Sequence, residues 1–477
     1  MCNLGYNYFI IIIITMSALP ASFQYFVNKL AGVKRNTVRI TPNNSTSVNA
    51  NGQIIFDLPS NSICDLTSLT MRGNFIFTAA VGGTGGVRMV PQIHTLMRNV
   101  AWQCNGQTVA GIGSQNMNHV MEIFRRCTSA NEYEISHSDQ YLATPVMRNN
   151  SYTSDTAPSG SQVATNSTSQ RFHFSQWYSL ARAPNAENWD TAVFGDLRLV
   201  IQLEGNGPIL SSADSGTNSA DWQLQNLELV VDVLTFADPT YDNLIASMLG
   251  QGQTLAVPFP EVYSQISAIN AAMKFNVSSQ SLDLIGYAPL ISSYNSFTQL
   301  SSTSGVVADA NLTYGPNFTR FRLNNSSGNI TASNYVNSTT ETYYWNINNE
   351  VYPKSGPTAV IDGVTYTTNL FNANAVNKYC LLFKGLDLVS GAPVAGVPSF
   401  IRENFQAENC IVAHNLSLDG PAHLSANHLL SGLDTRGTSS TITLYTSGWY
   451  SSDYCLLFAQ GSAVLEAGAG QVISVVY

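Results

Sequence analysis

The chain has 477 residues, enough for two or three domains with their own cores, and 44% of them are hydrophobic. Only 11% are charged, against an ordinary share of about 25%; Asn, Ser, Thr and Gly take their place. Such a surface suits a protein covered by copies of itself, or a secreted β-protein, and argues against a freely diffusing enzyme. The net charge is −9, with no basic cluster longer than the pairs Lys34-Arg35 and Arg125-Arg126, which excludes a body built to neutralise duplex phosphates.

The first 36 residues form an apolar extension. Phe9–Ile14 is too short to cross a bilayer and no basic residue precedes it, unlike a secretion signal; Met16 is a candidate for the true start. The spacing predicts an amphipathic helix over Pro20–Ala31, with Phe23, Phe26, Val27 and Leu30 on one face and Gly32 ending it. That helix either packs on its own domain or acts as an arm that meets a membrane or partner beneath an assembly.

Residues 37–236 read as a first β domain. Ile54, Phe56 and Leu58 alternate until Pro59 and Asn61 break the strand, and Asp65–Phe77 resumes it. Gly82–Gly86 is a flexible loop without the Gly-Lys-Ser/Thr of a phosphate cradle. Val100, Trp102 and Cys104 lead into an Asn105-Gly106 hairpin turn. A short helix is predicted over Asn116–Arg126, with Met117, Val120, Met121 and Phe124 together, and a long surface loop over Asn149–Gln170. Leu197, Leu199, Ile201 and Leu203 mark another strand, and Leu227–Phe236 closes the half.

Residues 237–253 form the connector. Asp238 caps a helix, Pro239 suits its first turn and Gly250 its end; Tyr241, Leu244, Ile245, Met248 and Leu249 share a face. Residues 254–477 form a second β domain, with strands expected at Met273–Val277, Phe318–Leu323, Ala359–Thr368 (turning at Asp362-Gly363), Tyr379–Phe383, Thr441–Tyr445, Tyr454–Phe458 and Gln471–Val476. A polar insertion is expected around 292–351. The fold class is all-β, with too many strands for a single sheet, so sandwiches or jelly rolls are the economical architectures.

Chemistry is sparse. The seven cysteines have no C-x-x-C spacing and read as reduced, buried thiols. The N-x-S/T triplets at Asn44, Asn166, Asn276, Asn311, Asn317, Asn325, Asn337 and Asn415 are what so Asn- and Ser-rich a chain makes by chance. His414, Asp419, His423 and His428 match no ligand spacing, Cys410 with His414 no nucleophile motif, and Glu132/Glu134 or Glu403/Glu408 read as solvated acids. No hydrolase, zincin, Walker or dinucleotide signature is present. The expectation is therefore no catalytic residue, no metal and no cofactor, and a structural or binding protein.

The segment Ile54–Met71, with Phe56, Asp57, Leu58, Pro59, Asn61, Asp65 and Leu66, resembles the start of double jelly-roll major capsid proteins, most nearly those of polinton-like viruses and virophages. Ile93–Val109 resembles the family's next strands. Phe194–Leu203, with Gly195, Asp196 and Arg198, and Leu227–Ile245 resemble the end of its first barrel and the connector. In the second half the resemblance rests on length, strand spacing and the C-terminal run. It implies two consecutive eight-stranded jelly rolls joined by short helices. It further implies a homotrimer of near-hexagonal outline that tiles an icosahedral shell around a double-stranded DNA genome. Lateral copies, minor capsid or penton proteins and an internal membrane would be its partners, and the virion its location. Loops 149–170 and 292–351 would be outer towers, and the helix carrying Phe23, Phe26, Val27 and Leu30 would point inward. The rival readings are a minor capsid or spike protein of a similar virus, a secreted carbohydrate-binding β-sandwich, and last a β-rich polysaccharide-degrading enzyme.

Overall fold

Alternating apolar residues become paired strands along most of the chain. The computed structural model describes residues 33–77, 87–89, 93–113, 115–127, 170–175, 177–182, 188–205, 209–211, 222–236, 240–290, 342–347, 350–352, 359–361, 364–366, 411–417, 430–436, 441–447, 454–468 and 472–477. The first half contains β1 (Val33–Ile40), β2 (Gln53–Asp57), β3 (Ile63–Phe77), β4 (Met97–Cys104), β5 (Gln107–Ala110), β6 (Gln170–Phe174), β7 (Leu197–Leu203) and β8 (Trp222–Phe236). The second contains β9 (Leu255–Ala268), β10 (Ala272–Asn276), β11 (Leu282–Leu290), β12 (Thr342–Ile347), β13 (Glu350–Tyr352), β14 (Val412–Asn415), β15 (Thr441–Ser447) and β16 (Tyr454–Gly468). A last strand, β17 (Val472–Val476), pairs with β16. Between the strands lie helices α1 (Met117–Cys127), α2 (Thr191–Phe194) and α3 (Thr240–Gly250).

The sheets of the first half run β1-β8-β3-β6 and β2-β7-β4-β5; those of the second run β9-β16-β11-β14 and β10-β15-β12-β13. Counted within its own half, each set of eight follows the same permutation. Eight antiparallel strands in this order form a jelly roll, so the chain folds as two consecutive jelly rolls, joined by α3.

Register explains the cores. On β7, Leu199 stands opposite Phe56 on β2 and Trp102 on β4, and Ile201 opposite Ile54 and Val100, so each level of the roll is one row of large side chains. Phe56, Trp102, Leu199 and Ile201 are fully buried. The turn at Asn105-Gly106, with φ of 49° and 83°, is the left-handed pair that a two-residue hairpin needs.

Two bulges reverse the alternation. On β8, Trp222 and Leu224 face the core, pairing then slips between Gln225 and Glu228, and beyond it Leu227, Leu229 and Val231 face in. Asn226 takes up the slip with φ 51°. On β3 the buried set changes from Cys64 and Leu66 to Leu69, Met71 and Phe75. Asp65 fastens this second bulge: its Oδ1 accepts the Thr67 N–H and hydroxyl, and the Ser68 hydroxyl donates to its carbonyl. The strand inferred from Leu227 onward thus starts five residues earlier, because a rule of period two cannot cross a change of parity.

The second roll is buried on two sides. Cys455, Leu457 and Ala459 of β16 and Ile285 and Tyr287 of β11 line its own interior. The intervening Leu456 and Phe458, with Leu284, Ala288 and Leu290, belong instead to the core cluster of the first roll. Sequence buried on both faces reads as continuous apolar runs, as LDLIGYAPL does, every residue of it buried.

Several sequence expectations need correction. Residues 33–36, placed with the N-terminal extension, open β1, where Val33 pairs with Phe236. The strand was hidden by Lys34, Arg35 and Arg39, charges that an edge strand carries readily. Residues 342–352, placed in the polar insertion, form β12 and β13; Trp345 and Ile347 are fully buried but alternate for too few residues to stand out. Ala359–Thr368 is a short hairpin, Ala359–Ile361 with Val364–Tyr366. The expected helix at Pro20–Ala31, the strands at Phe318–Leu323 and Tyr379–Phe383, the glycine loop 82–86 and the two tower segments as far as 169 and 341 lie outside the described residues.

Candidate assembly surface

The pairing directions sort the strand ends. β1 and β3 both run antiparallel to β8, and β6 antiparallel to β3. The segments 41–52, 78–96, 111–169 and 204–221 therefore all join strands at one end of the first roll, here the upper end. The lower end carries residues 58–62, the Asn105-Gly106 turn, the start of β1 and the end of β8. β9 leaves α3 at the lower end and meets Gly111–Asn116 partway up, so both rolls point the same way. By the same rule, segments 291–341 and 353–411 join strands at the upper end of the second roll.

The family-resembling residues gather mostly at the lower end of the first roll. Asp57 forms an ion pair with Arg198 on the neighbouring strand, Nε to Oδ1 2.6 Å, which holds its carboxyl below the usual range. The Leu58 N–H donates to the Leu197 carbonyl, and the Pro59 carbonyl accepts the Thr191 hydroxyl. Asn61 turns the chain with φ 48°. Gly195, at φ 98°, ends α2 with the Asn105 side chain where a Cβ would be, and Asn105 Oδ1 accepts the Asp196 N–H. Asp65 Oδ2 accepts from Arg35 of β1 at 2.6 Å, and Arg35 also reaches Asp232 at 2.6 Å. Phe56 and Leu66 are buried in the core. These residues stitch strand to strand; Phe23, Phe26, Val27 and Leu30 lie outside the described residues.

The seam between the rolls holds a residue that sequence reasoning missed. Glu261, on β9, is 1% exposed. Its Oε1 and Oε2 both accept the Gly111 N–H at 3.0 Å, Oε1 the Ile112 N–H at 3.1 Å, and Oε2 the Ser179 hydroxyl at 3.1 Å. Burial outweighs these donors and pushes its carboxyl up to about 7. Ser264 continues the seam: its N–H donates to the Gly113 carbonyl, and its hydroxyl accepts the Asn116 N–H. The Tyr477 hydroxyl donates to the Val109 carbonyl at 3.1 Å. The available signal was a lone acid inside the apolar run VPFPEVY, where only a partnered carboxyl is tolerated.

Other candidates are not drawn together. His414 is buried on β14; Asp419, His423, His428, Cys410 and the acid pairs 132/134 and 403/408 lie outside the described residues. Among the described residues no group of three or more His, Cys, Asp or Glu could hold a metal, and no helix is long and apolar enough to cross a membrane. The Cys64 and Cys104 thiols are buried and pushed up to about 12. The Cys104 Sγ–H donates to the Phe194 carbonyl.

This architecture defines a class: two fused jelly rolls of the same strand order, standing parallel. No protein-family model and no curated protein matches the sequence. Solved structures do match. The PBCV-1 virus capsid, as a quasi-atomic model, superposes with a TM-score of 0.52 at 11% identity, over 93% of this chain and 97% of that one. PBCV-1 VP54, fitted into a reconstruction of the virophage Sputnik, gives 0.51 at 11% identity, over 93% and 97%. The mavirus major capsid protein gives 0.43 at 11% identity, over 92% and 90%. The likeness is one of fold: the chain shares the double jelly-roll architecture of viral capsid proteins.

Proposed function

We propose that this chain is a viral major capsid protein without enzymatic activity. Three copies would form a pseudo-hexameric trimer that tiles an icosahedral shell around a double-stranded DNA genome. The observation that carries the reading is the pair of jelly rolls that share a core across their seam. Such a chain is a rigid block with two similar corners, and three of them approximate a hexagon. A heterologous ring of three closes on itself and leaves outer sides for lateral contacts. Low charge limits repulsion among identical neighbours. The common direction of the strand ends supports segments 149–170 and 292–341 as towers on the outer surface. It likewise supports residues 20–31 as the inward end, above an internal membrane where one is present. Minor capsid and penton proteins would fill the remaining contacts, and the virion would be its location.

The test is light scattering with negative-stain imaging of the purified protein. A particle of three times the 51.6 kDa chain mass with a six-cornered outline is expected. Stable monomers without that outline would overturn the reading. A minor capsid or spike protein of such a virus would instead be scarce on a stained gel of virions. A secreted binding module would carry occupied sequons and paired cysteines.

A further inference from the structure

The one strongly exposed apolar side chain on the connector helix is Leu244, 57% exposed on α3. Ile245, Met248 and Leu249 beside it are only half-buried, so the helix presents an apolar stripe with no described partner over it. We propose that this stripe is the docking site for residues 20–31 of the same chain, carried there by the start of β1.

The pairing register places the occupant. Val33, the first residue of β1, stands opposite Phe236, the last of β8. α3 begins four residues after Phe236, and the rings of Phe236 and Tyr241 lie 5.3 Å apart. The Val33 end of β1 thus lies beside the first turn of α3. Leu30 is three residues from Val33, a reach of about 10 Å at most. The lengths agree as well. The twelve-residue helix that the spacing predicts over 20–31 would span about 18 Å and the eleven residues of α3 about 16 Å, so one could lie along the other from end to end. The surfaces are complementary. Residues 20–31 carry Lys29 and no acid; α3 carries Asp242, exposed, and no base. Phe23, Phe26, Val27 and Leu30 repeat at the spacing that covers a stripe such as Leu244, Ile245, Met248 and Leu249. The inference does not rest on the capsid reading, since it concerns a single chain.

The test is a cysteine pair, Val27→Cys with Leu244→Cys, in the full chain under mild oxidation. Val27→Cys with Ser45→Cys, exposed at the upper end of the roll, serves as control. A disulfide within one chain for the first pair and none for the control is expected, read from unreduced peptides and a non-reducing gel. A disulfide between chains, or none, overturns the proposal. Independently, Phe23→Asp with Phe26→Asp should speed amide exchange across residues 241–249 by at least about tenfold, as expected when helix burial is lost, with thermal unfolding of the β body unchanged. Unaltered exchange in α3, together with loss of binding to anionic lipid vesicles in the same variant, would assign residues 20–31 to a membrane surface instead.

Discussion

Glu261 offers a sharp test of the seam. Its carboxyl titrates near 7 in the folded chain, against 4.5 when unperturbed, because burial outweighs the N–H and hydroxyl donors around it. A carboxyl that is harder to ionise folded than unfolded binds its proton more tightly in the folded state. Its contribution to stability is therefore full below about 4.5 and is lost as pH rises through 7. At 1.36 kcal/mol per unit the loss is about 3 kcal/mol. For a unit of roll size that corresponds to about 5–10 °C in Tm. The groups that sense the charge are the phenols of Tyr263 on β9 and Tyr477 at the chain end, both held above the usual range chiefly by burial. Glu261→Gln keeps one oxygen for the Gly111 and Ile112 N–H groups and offers an N–H to the Ser179 oxygen, so it imitates the protonated acid. Thermal unfolding of wild type and variant should be followed from pH 5 to 8.5. The wild-type Tm should fall relative to the variant between pH 5 and 8, with the two close together at the acid end. Parallel curves would refute the assignment of titration to Glu261. Glu261→Ala, which leaves both N–H groups and the hydroxyl without an acceptor, should be destabilised at every pH by several times the roughly 1 kcal/mol of a single lost bond.

Gly195→Ala puts a methyl group into the Asn105 side chain at a φ of 98°; a cost of about 1–3 kcal/mol should appear as a lower urea midpoint. Asp57→Asn breaks an ion pair whose side chains are each 44% exposed, so no more than about 1 kcal/mol should be lost. A larger loss, measured by the same denaturation, would contradict the exposure of this pair. Cys64 and Cys104 should resist iodoacetamide at pH 8 in the folded protein and react after unfolding, since burial pushes both thiols up to about 12. Rapid native labelling, read by peptide mass, would contradict their burial.

Much of the architecture could be read from local patterns. Leu197–Leu203 and the Asn105-Gly106 turn are strictly local signals, and the structure keeps both. What escaped depends on partners distant in sequence. Asn226 reverses the facing of β8 within one residue, and no periodic rule anticipates it. β1 carries charges that are sensible only once it is seen at an edge, where Arg35 reaches Asp65 and Asp232. β12 shows its burial at Trp345 and Ile347, too few positions to make a pattern. The motif residues Asp57, Arg198, Gly195 and Asp65 could be noticed as a likeness, but their work as stitches between strands needed the register. Glu261 was passed over because its donors lie about 150 and 82 residues away in the chain.

The edge of β9 that faces the first roll has a wider consequence. Pro258 and Pro260 stand at alternate positions with Ser264, whose N–H faces away from β16 and is taken by the Gly113 carbonyl. Prolines lack the N–H that an adjoining strand would seek, and the Ser264 donor is already taken. Along this margin strand pairing stops, and the first roll is met through single bonds such as that from Ser264 to Gly113 and through the Glu261 carboxyl rather than through a continuous ladder. The two rolls are therefore separate sheets packed together, not one sheet continued across the seam.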